Sequence, residues 1–339
     1  MRMQGATEET IYDAKAKPRR AGFSIDEVKQ RTASLSLVRS DGRWWRTVGR
    51  ASSLLLILAL YSRVSQLALS PVYGSIPSSL WHEYILYFSI ATGWLCEDIL
   101  PRQRRWQTTE FIPVLAFYIP SLQSFLFGYS SCLGAIWGPV ITETLTLCPL
   151  VILCSASIRR LLKHVDFFGQ IGGAVCTSAV VKIIDGFASP LVDGYIGSTR
   201  FSTRMGYQFV LSFASSLLAP SPLLVWTLPA ILHMSLYNVH VPRQGGLAAI
   251  NTKLLSEGYR VLARAESRTG YISVIENLRD HYTVMRCDHS LLGGLWSHYN
   301  SNSIVHEPIY AIFAMLEAVR LIERPAGPLP DSYAQGLVM

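Results

Sequence analysis

Seven long apolar stretches separated by short polar connections fill the middle of the chain, at 51–69, 80–99, 110–127, 133–158, 168–188, 204–219 and 222–239. Each approaches the roughly 20 residues that a helix needs to cross a bilayer, where a helix satisfies its own backbone polar groups. Only Pro220-Ser221-Pro222 separates the last two, so they read as a re-entrant pair or as one broken span. After 239 the pattern changes. Tyr259 to Ala265 is strand-like, and Tyr271 to Glu276 and His281 to Cys287 read as two strands around the polar turn Asn277 to Asp280. From His306 to Glu323 the apolar positions Ile309, Ile312, Phe313, Leu316, Val319 and Leu321 fall near helical spacing.

The expected fold is therefore an α-helical polytopic membrane bundle of six or seven helices. A small α+β domain follows it, with an antiparallel β-hairpin sheet and one amphipathic helix. Four regions result: a polar, disordered tail at 1–50, a transmembrane domain at 51–239, the small domain at 240–323 and a Pro-rich tail at 324–339.

Composition agrees with that reading. The chain is 50% hydrophobic and 16% charged, with a mean hydropathy of +0.28, outside the usual soluble range. No basic patch and apolar run of a secretory signal follows Met1. Residues 1–50 carry 11 Lys and Arg against 6 Asp and Glu, so the cationic excess lies before the first apolar stretch. Arg39, Arg43, Arg46 and Arg50, then Arg102, Arg104 and Arg105, then Arg159, Arg160 and Lys163 mark alternate connections. Short cationic loops stay cytoplasmic, which puts the N-terminus of an integral, multi-pass protein in the cytoplasm. The partner this implies is the lipid bilayer; the basic residues form no single stripe that would fit nucleic acid. Oligomeric state and organelle leave no mark on the sequence.

Candidate chemistry is sparse. Six cysteines show no C-x-x-C pairing, and five fall in apolar segments, where small buried hydrophobes are expected. Cys287, His289, His298 and His306 match no standard zinc spacing, so no metal is expected. Arg63, Glu143, Lys182, Asp185 and His233 are ionisable groups in apolar stretches, which is costly. A transporter would use Glu143 and Lys182 as a relay; the plainer expectation pairs Lys182 with Asp185 one turn away and hydrogen-bonds Glu143 within the bundle. Gly169 to Ala174 offers a small-residue surface for close helix approach. Phosphate-cradling, nucleophile-elbow and H-E-x-x-H motifs are absent, so no cofactor and no catalytic residue is expected.

Three segments carry a family resemblance: Thr269 to Asn277, Met285 to Gly294, and Glu307-Pro308-Ile309-Tyr310 running into Met315 to Arg320. Together they resemble the small N-terminal β-domain of the spermidine/spermine synthase (polyamine aminopropyltransferase) family, in its fungal membrane-anchored form. The resemblance covers about 255–323. It implies that Asp288, Glu307 and Tyr310 contact substrate. Cys287, His289, Leu292, Ala311 and Ile312 depart from the family pattern. Family members place this domain over a Rossmann-like domain that holds decarboxylated S-adenosylmethionine and the polyamine. The chain stops before such a domain, so the resemblance implies a catalytically incomplete protein, with those ligands bound only by a longer product. The alternative is a transporter or membrane scaffold with a small accessory domain.

Overall fold

A computed structural model describes residues 43–100, 107–163, 169–199, 202–241 and 244–296. The chain divides after Arg46 into two compact units, and the larger, from Thr47 onward, holds all the described elements except the first residues of the first helix. The helices are α1 (Arg43–Tyr73), α2 (Ser75–Leu80), α3 (His82–Leu95), α4 (Phe111–Phe127), α5 (Ser130–Leu162), α6 (Gly169–Tyr195), α7 (Arg204–Leu218), α8 (Leu228–Leu232) and α9 (Gln244–Glu257). Four strands come after them: β1 (Tyr259–Glu266), β2 (Tyr271–Asn277), β3 (Tyr282–Cys287) and β4 (Ser290–Trp296).

The apolar stretches cluster because their large side chains meet. Leu58 and Tyr61 of α1, Ile90 and Trp94 of α3, Ile112 and Ile119 of α4, and Leu147, Leu150 and Ile158 of α5 form the main buried cluster. Close approach depends on missing side chains. A Cβ on Gly93 would fall 2.5 Å from the Ile152 carbonyl oxygen, so α3 lies directly on the α5 backbone. In α6, Gly173 leaves room for the Trp94 ring, which occupies the space its Cβ would need, and the Trp94 indole donates to Thr177 Oγ1 at 3.1 Å. Buried amides link the helices. Gln208 donates to Gln123 Oε1 at 2.7 Å and Gln123 to Ser65 Oγ at 2.8 Å, linking α7, α4 and α1.

The expected six or seven spans are corrected. Among the described residues, four helices are long and apolar enough to cross a membrane, by length and composition: Trp44–Tyr73, Thr108–Phe127, Ser130–Leu162 and Gly169–Tyr195. The stretch 80–99 gives only the 14 residues of α3, about 21 Å at 1.5 Å per residue, short of a hydrocarbon core of about 30 Å. The stretch 204–219 gives 15 residues. Beyond Pro220 the chain divides into a 3-10 turn at Pro222–Thr227, α8 and a π-turn at His233–Tyr237. Pro222 and Pro229 lack the N–H groups a continuous helix would use.

The expected antiparallel hairpin, Tyr271–Asn277 with Tyr282–Cys287, is present within a larger sheet. The sheet has four antiparallel strands in sequential order, β1-β2-β3-β4. Strand β4 adds to the three expected strands, and its Gly293 and Gly294 hide its alternation. Register places Val261, Arg264 and Glu266 on one face with Tyr271, Ser273 and Ile275, and with Val284 and Arg286. Helix α9, which no sequence pattern marks, packs on that face: Asn251 Nδ2 donates to the Val261 carbonyl at 3.0 Å, and Val261 N donates back to Asn251 Oδ1 at 2.8 Å. The expected amphipathic helix at 306–323 lies outside the described residues.

Candidate functional site

One end of the sheet meets the helices through a cluster of charged and aromatic groups. Thr203 caps α7 by accepting from Gly206 N at 3.0 Å, which leaves the first helical residue, Arg204, at the sheet edge. Glu266, at the end of β1, accepts from Arg204 N at 2.8 Å and from its Nη1 at 3.4 Å. Arg204 Nη2 also donates to the Ser267 carbonyl at 3.2 Å. A carboxylate at a helix N-terminus is favoured by the helix dipole, yet both side chains are almost fully buried. Burial pushes the Glu266 carboxyl above its ordinary range, and Arg204 opposes that shift.

Tyr271 opens β2 directly across from Glu266. Its ring lies under Arg264, 4.3 Å from the guanidinium carbon, with Arg204 at 5.7 Å. Arg264 Nη1 donates to the Val239 carbonyl at 3.1 Å. His240 stands beside this pair, its ring 6.2 Å from that of Tyr271 and edge-on to Phe127 at 5.2 Å. Burial, with the Arg264 charge added, lowers the His240 imidazole to about 4. It is neutral at physiological pH, and its Nδ1 is buried with no hydrogen-bond partner among the described residues. His240, Arg264 and Tyr271 line a cavity of about 210 Å³ with Val72, Ser273 and Asp288.

Asp288, which the resemblance marks as a substrate contact, closes a turn. Its Oδ1 accepts from Tyr271 N at 2.6 Å and its own N donates to the Tyr271 carbonyl at 2.9 Å. The left-handed backbone at Asp288, φ 49°, suits a short polar residue. Gly270 faces it at φ 154°, where a Cβ would collide with Asp288 Oδ2. The neighbouring His289 Nε2 lies 2.9 Å from the Val72 carbonyl and pins the turn to the end of α1. Glu307 and Tyr310 lie outside the described residues. No group of three potential metal ligands exists among the described residues.

Farther along the same face a wider groove of about 630 Å³ is lined by Glu257, Tyr259, Tyr282, Arg286, His289 and Trp296, among others. Tyr282 and Trp296 stand edge to face with centroids 5.6 Å apart. Sequence reasoning singles out none of Arg204, His240, Arg264, Glu266 or Tyr271, because pairs such as Arg204 with Glu266 join positions 62 residues apart.

Of the charges inside the apolar stretches, Glu143 hydrogen-bonds within the bundle as expected, to His82. Lys182 pairs with Glu83 of α3 in place of the expected Asp185, and Arg63 pairs with Asp193. Arg159 and Arg160, which the sequence presents as cationic loop markers, bind Asp98 at 2.9 Å and Glu97 at 3.0 Å. Of the cysteines, only Cys154 is buried, while Cys132 and Cys176 are exposed.

No family model matches the chain, and no solved structure matches it. Among curated proteins it is 39% identical over 319 residues to an N-terminal histidine N-methyltransferase of Emericella nidulans, across 90% of this chain. The chain spans 56% of the length of that relative. The relative is named a methyltransferase, which overturns the resemblance to polyamine aminopropyltransferases and the transporter or scaffold alternative. It also sets aside a membrane bundle as the defining description of the fold. What is similar to an N-terminal histidine N-methyltransferase is a mostly helical chain with a four-stranded antiparallel sheet.

Proposed function

We propose that the chain takes part in methylating a nitrogen of an amino-terminal histidine. The observation that carries this reading is the alignment itself, 39% identity sustained over 319 residues, a length that must include both helices and sheet. The groove on the inner face of the sheet supports it. An amino-terminal histidine presents an imidazole and an α-ammonium close together. Aromatic faces and a carboxylate suit that pair of groups, and Tyr259, Tyr282, Trp296 and Glu257 supply them here. The methyl group must come from an electrophilic donor, and the acceptor nitrogen must be unprotonated to attack it.

For four helices we propose the bilayer as partner, with the N-terminus on the cytoplasmic side. Helix α6 supports this, since Ile171, Phe187 and Leu191 are 75%, 78% and 64% exposed along a 27-residue apolar helix. Extraction with alkaline carbonate tests this part: the chain stays in the pellet, and release into the supernatant would contradict it.

The test of function is deletion of the gene in its host, followed by mass spectrometry of proteins that begin with histidine. Their amino-terminal methylation is lost on deletion and returns with the intact gene. Full methylation in the deletion strain would reject the reading.

A further inference from the structure

Away from the sheet, three residues from three helices form a chain of hydrogen bonds. Ser62 Oγ of α1 lies 2.9 Å from Nε2 of His82, the first residue of α3. His82 Nδ1 lies 2.6 Å from Glu143 Oε1 of α5. All three residues are buried. An ionised carboxylate can only accept, so it fixes the ring proton on Nδ1 and leaves the Nε2 lone pair facing the Ser62 hydroxyl. Among the described residues Ser62 shows no competing bond to its own helix backbone, whereas Ser89, Thr146 and Ser157 spend theirs in that way.

The order is nucleophile, base, orienting acid, and the cavity is on the correct side of it. Ser62 and His82 line a space of about 110 Å³, while Glu143 stands behind the imidazole and does not reach the cavity. Donors border the same space. Arg63 and Gln66 line it; Arg63 Nε is buried with no acceptor among the described residues, and Gln66 uses its oxygen to accept from Arg63 Nη1 at 3.2 Å, which leaves its amide N–H groups. Such donors are what a developing oxyanion requires. At about 30 Å³ per water, the cavity holds about three to four waters, or a small acyl group.

We propose that Ser62, His82 and Glu143 form a nucleophilic triad for esters of short carboxylic acids, an activity separate from the histidine methylation proposed above. Ser62 Oγ adds to the carbonyl carbon as its proton passes to His82 Nε2. The bond to the alcohol oxygen breaks, and the imidazolium returns that proton to the departing alkoxide. Water then attacks the acyl-Ser62 ester by the same route, which releases the carboxylic acid and restores the hydroxyl. Ser62 and His82 are the catalytic residues; Glu143 is a positioning residue.

The test treats the full chain with a small sulfonyl fluoride and, separately, with p-nitrophenyl acetate. The expected results are a covalent adduct mapped to Ser62 by mass spectrometry and a burst of p-nitrophenol. Ser62→Ala abolishes both. His82→Gln and Glu143→Gln each slow them at least tenfold, and Glu143→Asp restores part of the rate, which a purely structural hydrogen bond would not require. Thermal melting of each variant shows that it is folded. A folded wild-type chain that gives neither adduct nor burst, or one whose adduct survives His82→Gln at the same rate, overturns the proposal.

Discussion

Arg204 and Glu266 meet across 62 residues of sequence with both side chains buried, and this ion pair joins the first turn of α7 to the last residue of β1. It lies where helices meet sheet, so it bears on how rigidly the groove face is held. Removing one partner from such a pair leaves a buried charge without compensation, at a cost of about 3–5 kcal/mol. Arg204→Met is therefore expected to lower the melting temperature markedly, and Arg204→Met with Glu266→Leu to recover much of the loss. Melting of the two single variants and the double variant checks this; strict additivity would contradict direct pairing.

Glu266 also links stability to pH. Its carboxyl is raised in the folded chain, mainly by burial, so the folded state holds a proton that the unfolded state has lost. Stability accordingly falls as pH climbs from the ordinary carboxylate range through the raised value, and is flat above it. Glu266→Gln removes that slope. Unfolding midpoints measured across the acid range test it.

His240 gives the opposite sign. Lowered to about 4 from 6.5, it is neutral in the folded chain while the unfolded chain binds a proton between those values. Its contribution is complete above about 6.5 and is lost as pH falls toward 4. His240→Gln reduces acid sensitivity in that window, and Arg264→Gln raises the imidazole by removing a nearby positive charge. Histidine titration by NMR reads both changes. An imidazole that titrates at the ordinary value would contradict the burial of His240.

Gly173 tests the helix packing. A methyl group there would overlap the Trp94 ring, and Trp94 is fixed by its bond to Thr177. Gly173→Ala is expected to destabilise the chain by about 1–3 kcal/mol through overpacking, against the small gain that alanine normally brings to a helix. Gly186, with open space around it, gives the control: Gly186→Ala stabilises or is neutral. Thermal melting of the two variants side by side reads the difference.

Periodicity is informative where side chains report one local environment, and fails where partners are distant. Tyr259–Glu266, Tyr271–Asn277 and Tyr282–Cys287 lie close to their expected bounds because alternate residues face one groove. Strand β4 escapes the pattern because Gly293 and Gly294 carry no side chain to alternate. The stretch 80–99 resembles a span because hydropathy ignores the turn that ends α3 at Leu95. Lys182 has a plausible partner three residues away in Asp185 and takes one 99 residues away in Glu83. The short motif that marks Asp288 does not show that its Oδ1 accepts from Tyr271 N, a partner 17 residues away. Arg204 with Glu266, and Ser62 with His82 and Glu143, are chosen by tertiary packing alone.

A role in methylating amino-terminal histidine is tested most directly by the methyl occupancy of that histidine on the host's own proteins, measured by mass spectrometry with and without the gene. Occupancy is expected to fall to background on deletion and to return with the wild-type gene. It is expected to return only in part with Tyr282→Ala combined with Trp296→Ala, which leaves Tyr259 as the one tyrosine or tryptophan lining the groove. Unchanged occupancy in the deletion strain would contradict the proposed function.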